Sequence, residues 1–402
     1  MKIQLVTDDL SAKIKVLGIG GAGGNAVNDM IASRMEGVDF IAANTDAMSL
    51  ERTLAPVKIQ LGTNITRGLG AGGSPEVGRE ATLEEAERIK QVLQGADMVF
   101  IAAGMGGGTG TGGAPVVAEI SREVGALTVA VVSKPFHFEG HKKMAIADKG
   151  IEELRRVADT IITIPNDRLF SLGSKNARTR EIFALANQVL GAAVRGISDL
   201  IILPGFVKVD FADVRTIMKE GGMALMGTGT ASGNNRAADA AQRAISNPLL
   251  EDISIRGARG ILINITSAEE YSTIDELKEI CGIIQEQAHE DALIKWGLVY
   301  DDSVGEEIRV TVIATGIGRR LELDKDKPAW QPAAEPPAPE DLEAPTFLRK
   351  GELPRTAAIG AGDKRALGVV AGKKHIVHPD LQYEESELDI PTFERLRKAE
   401  DR

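Results

Sequence analysis

The sequence predicts an α/β protein in which a Rossmann-like, mostly parallel sheet is joined by a long central helix to a smaller α+β domain. From residue 14 to about residue 207, short β-branched runs alternate with longer helical patterns, as expected of parallel strands with crossover helices. From about residue 210 to residue 318 the pattern becomes helix, helix, strand, helix, strand, strand. Between these regions, residues 179–203 repeat apolar side chains at helical spacing on more than one side, so we expect a buried helix there.

The composition is that of a soluble globular protein, with 402 residues, 43% hydrophobic residues and a formal charge of −11. The acidic balance argues against a dedicated nucleic-acid binder, which needs a basic surface to displace counterions. A single cysteine, Cys281, excludes an intrachain disulfide and a cysteine-based zinc site. No apolar run approaches the roughly 18 residues that span a bilayer, and Asp8 and Asp9 interrupt any signal peptide. We expect a cytoplasmic protein that binds no nucleic acid and does not insert into the membrane.

The first predicted strand, at residues 14–17, leads into the run GIGGAGGN at residues 18–25 and then into a helix at residues 26–32. Glycines let consecutive backbone N–H groups approach an anion closely, and a helix N-terminus adds partial positive charge. Taken alone, the glycines match the dinucleotide fingerprint, with Asp46 as the ribose-binding acid. A lone match of this kind is weakly specific.

A second glycine-rich run, GMGGGTGTGG at residues 104–113, follows the strand predicted at residues 98–102. We expect the next helix to open with Pro115, a residue favoured in the first helical turn. Thr109 and Thr111 add hydroxyl donors for phosphate oxygens. Two such runs at the ends of strands in one sheet predict a nucleotide with a polyphosphate tail, and the sequence has no P-loop pattern.

A third glycine cluster, GLGAGGSP, occupies residues 68–75. Its composition is equally compatible with a loop that closes over the same phosphates and with a mobile surface loop.

The run at residues 104–112 closely resembles the signature of the tubulin-like GTPases, in the form carried by the bacterial FtsZ family. The resemblance extends from about residue 14 to residue 318 and implies a GTPase that converts GTP to GDP and phosphate. It also implies head-to-tail polymerisation of the protein with itself into filaments of the cell-division ring, which assembles in the cytoplasm at midcell beneath the membrane. The other runs that carry the resemblance are NTD at residues 44–46, KPFHFEG at 134–140, IPND at 164–167 and VDFADV at 209–214.

The resemblance implies a GTP or GDP site built from the glycine runs and the central helix. Glu139 and Lys143 are implied on the ribose and phosphate side, and Phe183 and Asn187 at the guanine. The last two are four residues apart on one helix face, so a ring and an amide can meet one base; from the residues alone, core packing is the usual fate of a helical Phe. Mg²⁺ is expected to be held mainly by phosphate oxygens and water, with no metal site in the protein. The remaining implied nucleotide-binding residues are Gly21, Ala22, Gly23, Gly24, Asn25, Asn44, Thr45, Asp46, Gly72, Gly107, Gly108, Thr109 and Gly110.

Asp210 and Asp213 are the implied catalytic pair. From the residues alone, the favoured interpretation is that Asp210 is the N-cap and Asp213 the N3 acid of the helix predicted at residues 211–220. The resemblance instead implies that they reach the γ-phosphate of the next subunit, so that hydrolysis requires assembly. Three positions depart from the family pattern: Lys208 replaces the usual asparagine, Lys143 a frequent arginine, and Gln188 a common acid.

The region after residue 318 carries prolines, alanines and acids without periodicity and is expected to be disordered. Near its end, a proline-started peptide with an apolar face and a basic end has the form of a segment that folds into a partner's groove. Its implied partners are membrane-tethering division proteins of the FtsA/ZipA type and division regulators. Its predicted contact residues are Asp389, Ile390, Pro391, Phe393, Leu396 and Arg397.

The predicted domain boundaries follow these patterns. We expect an N-terminal extension at 1–13, a GTP-binding domain at 14–178, the central helix with the approach to the catalytic loop at 179–207, an α+β domain at 208–318 with that loop at 208–213, a disordered linker at 319–387 and the partner-binding peptide at 388–402.

Two alternative functions share part of this pattern. A tubulin-like plasmid-partitioning filament would carry the glycine runs but not the terminal peptide LDIPTF at residues 388–393. A nicotinamide-dependent oxidoreductase would use the first glycine run and have no role for the second.

Overall fold

The computed structural model describes residues 12–172, 178–203, 205–219, 222–250 and 257–317. The linker and the partner-binding peptide predicted beyond residue 318 lie outside the described residues, as does nearly all of the predicted N-terminal extension. Only the predicted domains between residues 12 and 317 can therefore be compared with the helices and strands of the structure.

The described residues form eleven strands and eleven α-helices in an alternating order. The strands are β1 (Ile14–Ile19), β2 (Val38–Asn44), β3 (Val57–Gln60), β4 (Met98–Gly104), β5 (Leu127–Lys134), β6 (Thr160–Pro165), β7 (Gly205–Val207), β8 (Gly222–Ala231), β9 (Gly260–Ser267), β10 (Leu293–Tyr300) and β11 (Ile308–Ile317). The helices are α1 (Gly20–Ala32), α2 (Ala47–Glu51), α3 (Pro75–Glu84), α4 (Ala86–Leu93), α5 (Thr109–Glu123), α6 (His141–Val157), α7 (Leu169–Leu172), α8 (Thr179–Ile202), α9 (Phe211–Lys219), α10 (Arg236–Ile245) and α11 (Ile274–Gln287).

All the described strands belong to one sheet, in the order β3-β2-β1-β4-β5-β6-β8-β11-β9-β10-β7. The first six pair in parallel, which confirms the predicted α/β class. β6 pairs in parallel with β8, and β11 is antiparallel to both β8 and β9. β10 lies parallel to β9, and β7 is antiparallel to β10. β1, β2, β4 and β5 therefore end at one edge of the sheet, whereas β7 runs in the opposite sense and ends at the other.

Strand β8 is an element that the sequence analysis missed, because the region was interpreted as two consecutive helices before a strand. Glycines inside β8 weaken the strand pattern. In the structure, a Cβ on Gly227 would lie 2.0 Å from the carbonyl oxygen of Ala244, and one on Gly229 would lie 2.1 Å from that of Ala240. Helix α10 therefore packs directly on the strand backbone, and this contact requires glycine.

The expected helix starts after the two glycine runs were wrong. α1 begins at Gly20 rather than at residue 26, and α5 begins at Thr109, so that Pro115 lies inside the helix. The glycines thus form the first turns of both helices as well as the loops before them.

Close packing explains several of these glycines. A Cβ on Gly23 would lie 2.2 Å from the carbonyl oxygen of Ala102 in β4. A Cβ on Gly112 would lie 1.9 Å from the carbonyl oxygen of Pro75, where α5 crosses α3. Helix α1 therefore lies against the strand backbone, and α5 lies against the backbone of α3.

Helix α8 is the central helix predicted from the sequence, and it ends at Ile202, one residue earlier than expected. Its Leu190, Val194 and Ile197 are buried in the same core cluster as Ile14 of β1 and Ile313 of β11. Contrary to expectation, the segment 180–202 is long and apolar enough to cross a membrane by length and composition. Most of it is buried inside the protein, and core helices of soluble proteins pass the same test.

A cleft of 470 Å³ separates α1 and α8 from strands β8, β9 and β11. Asp199 of α8 lies in this cleft together with Arg195 and Arg309. Burial raises the pKa of Asp199 to about 6, although the two arginines favour its ionised form; the charge of Asp301 raises the pKa further.

We expect Asp199→Asn to stabilise the folded protein at neutral pH. The pKa of Asp199 is higher in the folded than in the unfolded protein, so its ionisation destabilises the fold. The contribution of the protonated carboxyl to the free energy of unfolding is fully present below about pH 4 and is lost as pH rises through about 6. At about pH 7.5 the substitution should raise the free energy of unfolding by ~1–2 kcal/mol, less than the full shift because the site is partly exposed. Urea unfolding at about pH 7.5 and pH 4.5 measures the difference, which should shrink at the lower pH.

Asp302→Asn is the control for this experiment, because Asp302 is an exposed carboxylate. It should leave the pH dependence of unfolding as in the unmodified protein. A stabilisation by Asp199→Asn that is the same at both pH values contradicts the assignment.

Candidate nucleotide-binding site

The two glycine runs meet at the edge where β1 and β4 end. These strands are adjacent and parallel, with Ile19 paired to Ala103, so α1 and α5 begin side by side. Together with α8 they line a cavity of 280 Å³. The predicted site residues in its wall are Gly21, Ala22, Gly107, Gly108, Thr109, Gly110, Glu139, Lys143, Phe183 and Asn187.

A smaller cavity of 160 Å³ adjoins the first and shares Gly20 and Gly21 with it. Gly24, Asn25 and Asn44, also predicted from the resemblance, line this second cavity. The structure therefore brings most of the predicted nucleotide-binding residues into one continuous pair of cavities.

The floor of the first cavity is backbone from the two helix starts. A Cβ on Gly21 or Gly107 would meet no atom within 4 Å, so these glycines are open towards the cavity side. Gly20 and Gly106 have φ of +72° and +98°, a region that favours glycine. The orphan N–H groups and the partial positive charge of two helix N-termini make this wall suited to a polyphosphate anion.

A pair of hydroxyl groups connects the second predicted phosphate loop to the residue that follows β2, two strands away in the sheet. Thr45, which follows β2, and Thr109 at the start of α5 share a hydrogen bond of 2.6 Å between their Oγ1 atoms. Thr45 is fully buried, so its role in this structure is to position Thr109, which lines the cavity.

The opposite end of the cavity carries aromatic side chains. Phe183 of α8 is 43% exposed, which argues against the core-packing interpretation. Its ring forms a T-shaped pair with the ring of Phe136, at a centroid distance of 5.3 Å and an interplanar angle of 79°. Phe136 is buried and stacks on Phe138. A free face of Phe183 next to the amide of Asn187 suits a planar heterocycle with polar edges.

Asn166 lines the cavity but was not among the predicted site residues, although it belongs to the run IPND at residues 164–167. Its Oδ1 atom is buried without a hydrogen-bond partner in the described part of the chain. A buried acceptor left unpaired is unfavourable unless a ligand donor satisfies it. Burial and missing partners are visible only in the folded chain, so sequence offered no direct signal.

Glu139 and Lys143 stand together at one side of the cavity. Glu139 accepts a hydrogen bond from the backbone N–H of Phe136 at 3.0 Å, and its other carboxylate oxygen accepts one from Lys143 Nζ, also at 3.0 Å. The carboxylate thus fixes the position of the lysine cation at the cavity wall. A lysine supplies charge here without the bidentate geometry of arginine.

Four predicted residues lie outside the two cavities, and one of them is Thr45, described above. Asp46 caps helix α2, where its carboxylate accepts bonds from the N–H groups of Met48 and Ser49. Bonds from the Ser49 hydroxyl and backbone lower the pKa of Asp46. Gly72 lines a separate groove beside α3, α5 and α6, and Gly23 is buried against β4.

The predicted catalytic acids lie at the other edge of the sheet, after β7. Asp210 is exposed, and within the described residues its side chain makes no hydrogen bond, so the N-cap bond favoured from the residues alone is not formed. Asp213 occupies the first turn of α9, and its Oδ1 lies 3.1 Å from Lys295 Nζ of β10. Neither acid lines the cavities described above.

The chemistry of the cavity pair suits a nucleotide. In the part of the chain that the structure describes, no group of three His, Cys, Asp or Glu side chains gathers as a metal site. The cavity pair offers backbone amides and hydroxyls that suit phosphates, together with an aromatic ring, two side-chain amides and a Glu–Lys pair.

Comparisons with known proteins agree with this architecture. A family model described as the Tubulin/FtsZ family, GTPase domain, matches residues 13–174, and one described as the FtsZ family, C-terminal domain, matches residues 222–318.

Relatives match almost the whole chain. The cell division protein FtsZ of Pseudomonas putida is 50% identical, over 97% of this chain and 98% of its own length. That of Coxiella burnetii is 46% identical, over 98% of each chain. A solved structure of an FtsZ dimer from M. jannaschii has 43% identity and a TM-score of 0.74, covering 78% of this chain and 90% of that one. A CetZ2 protofilament from Haloferax volcanii, at 20% identity and a TM-score of 0.64, covers 78% of this chain and 99% of that one and shares the fold. The nucleotide-site geometry, the two matched domain models and identity over nearly the full length together show that this chain belongs to the FtsZ family of tubulin-like proteins.

Proposed function

We propose that this chain is a cytoskeletal GTPase that hydrolyses GTP to GDP and phosphate and polymerises head to tail into filaments of the bacterial division ring. Cell-division relatives at 50% and 49% identity, over nearly the full chain, support this function. The dimer of the M. jannaschii relative supports self-association. These relatives also favour a division filament over a plasmid-partitioning filament, and a ring in the cytoplasm at midcell beneath the membrane.

The main support for a shared active site is the distance between the nucleotide cavity and the two acids, Asp210 and Asp213. The chain passes from Phe183 and Asn187 at the cavity along α8 to β7 at the opposite edge of the sheet. From Asn187 to the end of α8 at Ile202 the helix advances 15 residues, which corresponds to about 22 Å. Asp210 and Asp213 therefore cannot act on the nucleotide of their own subunit.

A head-to-tail contact brings the two half-sites together. The edge carrying the cavities of one subunit meets the edge carrying Asp210 and Asp213 of the next, and such a heterologous contact propagates as an open polymer. The carboxylates then lie beside the γ-phosphate, where they orient and polarise the attacking water. Assembly thus activates hydrolysis.

The bound nucleotide follows from the polarity of the cavity. The glycine amides of α1 and α5 and the Thr109 hydroxyl bind phosphates, and Lys143 adds positive charge at the wall. Phe183 stacks on the guanine, whose edge meets Asn187 and Asn166. Mg²⁺, when bound, would neutralise phosphate charge, and phosphate oxygens and water would be its main ligands.

The C-terminal peptide at residues 388–402 is proposed to bind membrane-tethering division proteins of the FtsA/ZipA type. Its support is the sequence pattern alone, a proline-started apolar face with a basic end.

We expect Asp213→Asn to bind GTP normally and to lose turnover by about 10²–10³-fold, the usual effect of removing one preorganised electrostatic group. The measurement is the steady-state rate of GTP hydrolysis per subunit as a function of protein concentration, with nucleotide binding measured separately. In the unmodified protein this rate should climb once polymers form, because the acids act across the interface.

Asp275→Asn serves as the control, since Asp275 is an 89% exposed carboxylate on α11 that also pairs with a lysine. It should keep both the rate and its concentration dependence. A rate per subunit that is independent of concentration down to monomeric samples would refute the shared site.

We expect Asn166→Ala to weaken GTP binding by roughly tenfold, because the cavity loses an acceptor for a ligand donor. Without nucleotide the variant should be as stable as the unmodified protein, since the Oδ1 atom has no partner to lose. Equilibrium nucleotide binding and thermal unfolding of the nucleotide-free protein test the two halves of this prediction. A marked loss of stability without nucleotide would show that Asn166 is structural.

A further inference from the structure

Lys295 forms an ion pair with Asp213, one of the two predicted catalytic acids. Lys295 Nζ lies 3.1 Å from Asp213 Oδ1, and both side chains are partly exposed, at 36% and 41%. Lys295 belongs to strand β10 and Asp213 to helix α9, so the contact depends on the folded sheet edge. Asp210 has no comparable partner among the described residues, and Lys208 forms no ion pair there.

The backbone around Lys295 is tied to the loop that carries the acids. β10 pairs with β7 through Leu298 and Val207. A Cβ on Gly297 would lie 3.0 Å from the side chain of Val209 and 3.1 Å from the carbonyl oxygen of Val207. Lys295 is two residues before Gly297 and therefore shares its face of the strand. The Lys295 side chain therefore lies on the face of β10 that packs against residues 207–209.

Electrostatics gives this lysine a specific task. In the assembled state two carboxylates face a polyphosphate, and like charges at short range oppose one another. A cation 3.1 Å from Oδ1 offsets this repulsion and favours one orientation of the Asp213 carboxylate, while Oδ2 can still accept a hydrogen bond from water. Asp210, without a cation, remains exposed and unconstrained.

We propose that Lys295 is a positioning residue of the shared active site, acting through Asp213 on the nucleotide of the neighbouring subunit. This inference rests on the proposed function. Lys295 neither touches the subunit's own nucleotide nor replaces either acid; it sets the orientation and the charge balance of one of them.

The test compares Lys295→Met and Lys295→Arg in the full chain, measuring GTP hydrolysis per polymerised subunit. Lys295→Met should lower this rate by up to about fivefold, the size expected from the loss of one partly exposed ion pair. GTP binding and the concentration threshold for polymerisation should stay unchanged. Lys295→Arg should recover most of the rate, because it keeps the cation and the donor. Lys278→Met removes another surface lysine paired with an aspartate and should have no effect.

A double-mutant cycle separates this role from a structural one. If Lys295 acts through Asp213, Lys295→Met should change nothing further in the Asp213→Asn background. An equal loss of rate in both backgrounds overturns the inference, as does a shift in the polymerisation threshold that accounts for the whole loss. Should Asp213→Asn itself keep full turnover, the shared active site of the proposed function fails; should only Lys295→Met keep it, the inference about Lys295 fails alone.

Discussion

The burial of helix α8 is the constraint on which the rest of the arrangement depends. Its side chains belong to the same core cluster as strands on both halves of the sheet. Because protein interiors are close-packed, the helix cannot slide or tilt without opening contacts on both sides. Phe183 and Asn187 at one end are therefore held at a fixed distance from the loop that leads to Asp210 at the other. The separation of the two half-sites is thus built into the core rather than into flexible loops.

Glycine performs two tasks at the nucleotide edge, and the structure distinguishes them. Gly23 and Gly112 allow backbones to approach within distances that a Cβ would block. Gly21 and Gly107 instead have open space where a Cβ would stand, so their task is to leave the backbone amides accessible. The density of glycine in both runs reflects close packing and anion binding together. A phosphate-binding interpretation alone explains only part of it.

Sequence patterns predicted the parallel half of the sheet, the buried central helix and the two glycine runs at the ends of strands in one sheet, because each leaves a local signature. Strand β8 was missed because Gly227 and Gly229, which admit α10, also erase its apolar alternation. The unpaired Oδ1 of Asn166 and the Lys295–Asp213 contact depend on neighbours that are distant in sequence, which no local pattern reports. For Asp210 and Asp213, residue chemistry alone favoured helix capping, and only the family resemblance indicated catalysis. The exposed, unbonded side chain of Asp210 agrees with the second interpretation.

Keeping the acids away from the nucleotide cavity has a direct electrostatic consequence in the proposed mechanism. Two carboxylates in the same cavity as a triphosphate would oppose nucleotide binding, since like charges a few ångströms apart repel strongly outside bulk water. With the acids on the neighbouring subunit, a monomer binds GTP without that repulsion and meets it only on assembly, where Mg²⁺ and the lysine cation beside Asp213 offset it. Cleavage and release of the γ-phosphate then remove the group that the acids and their water engage. In the proposed mechanism the interface loses that contact, so the geometry proposed to make hydrolysis depend on assembly would also weaken the polymer after hydrolysis.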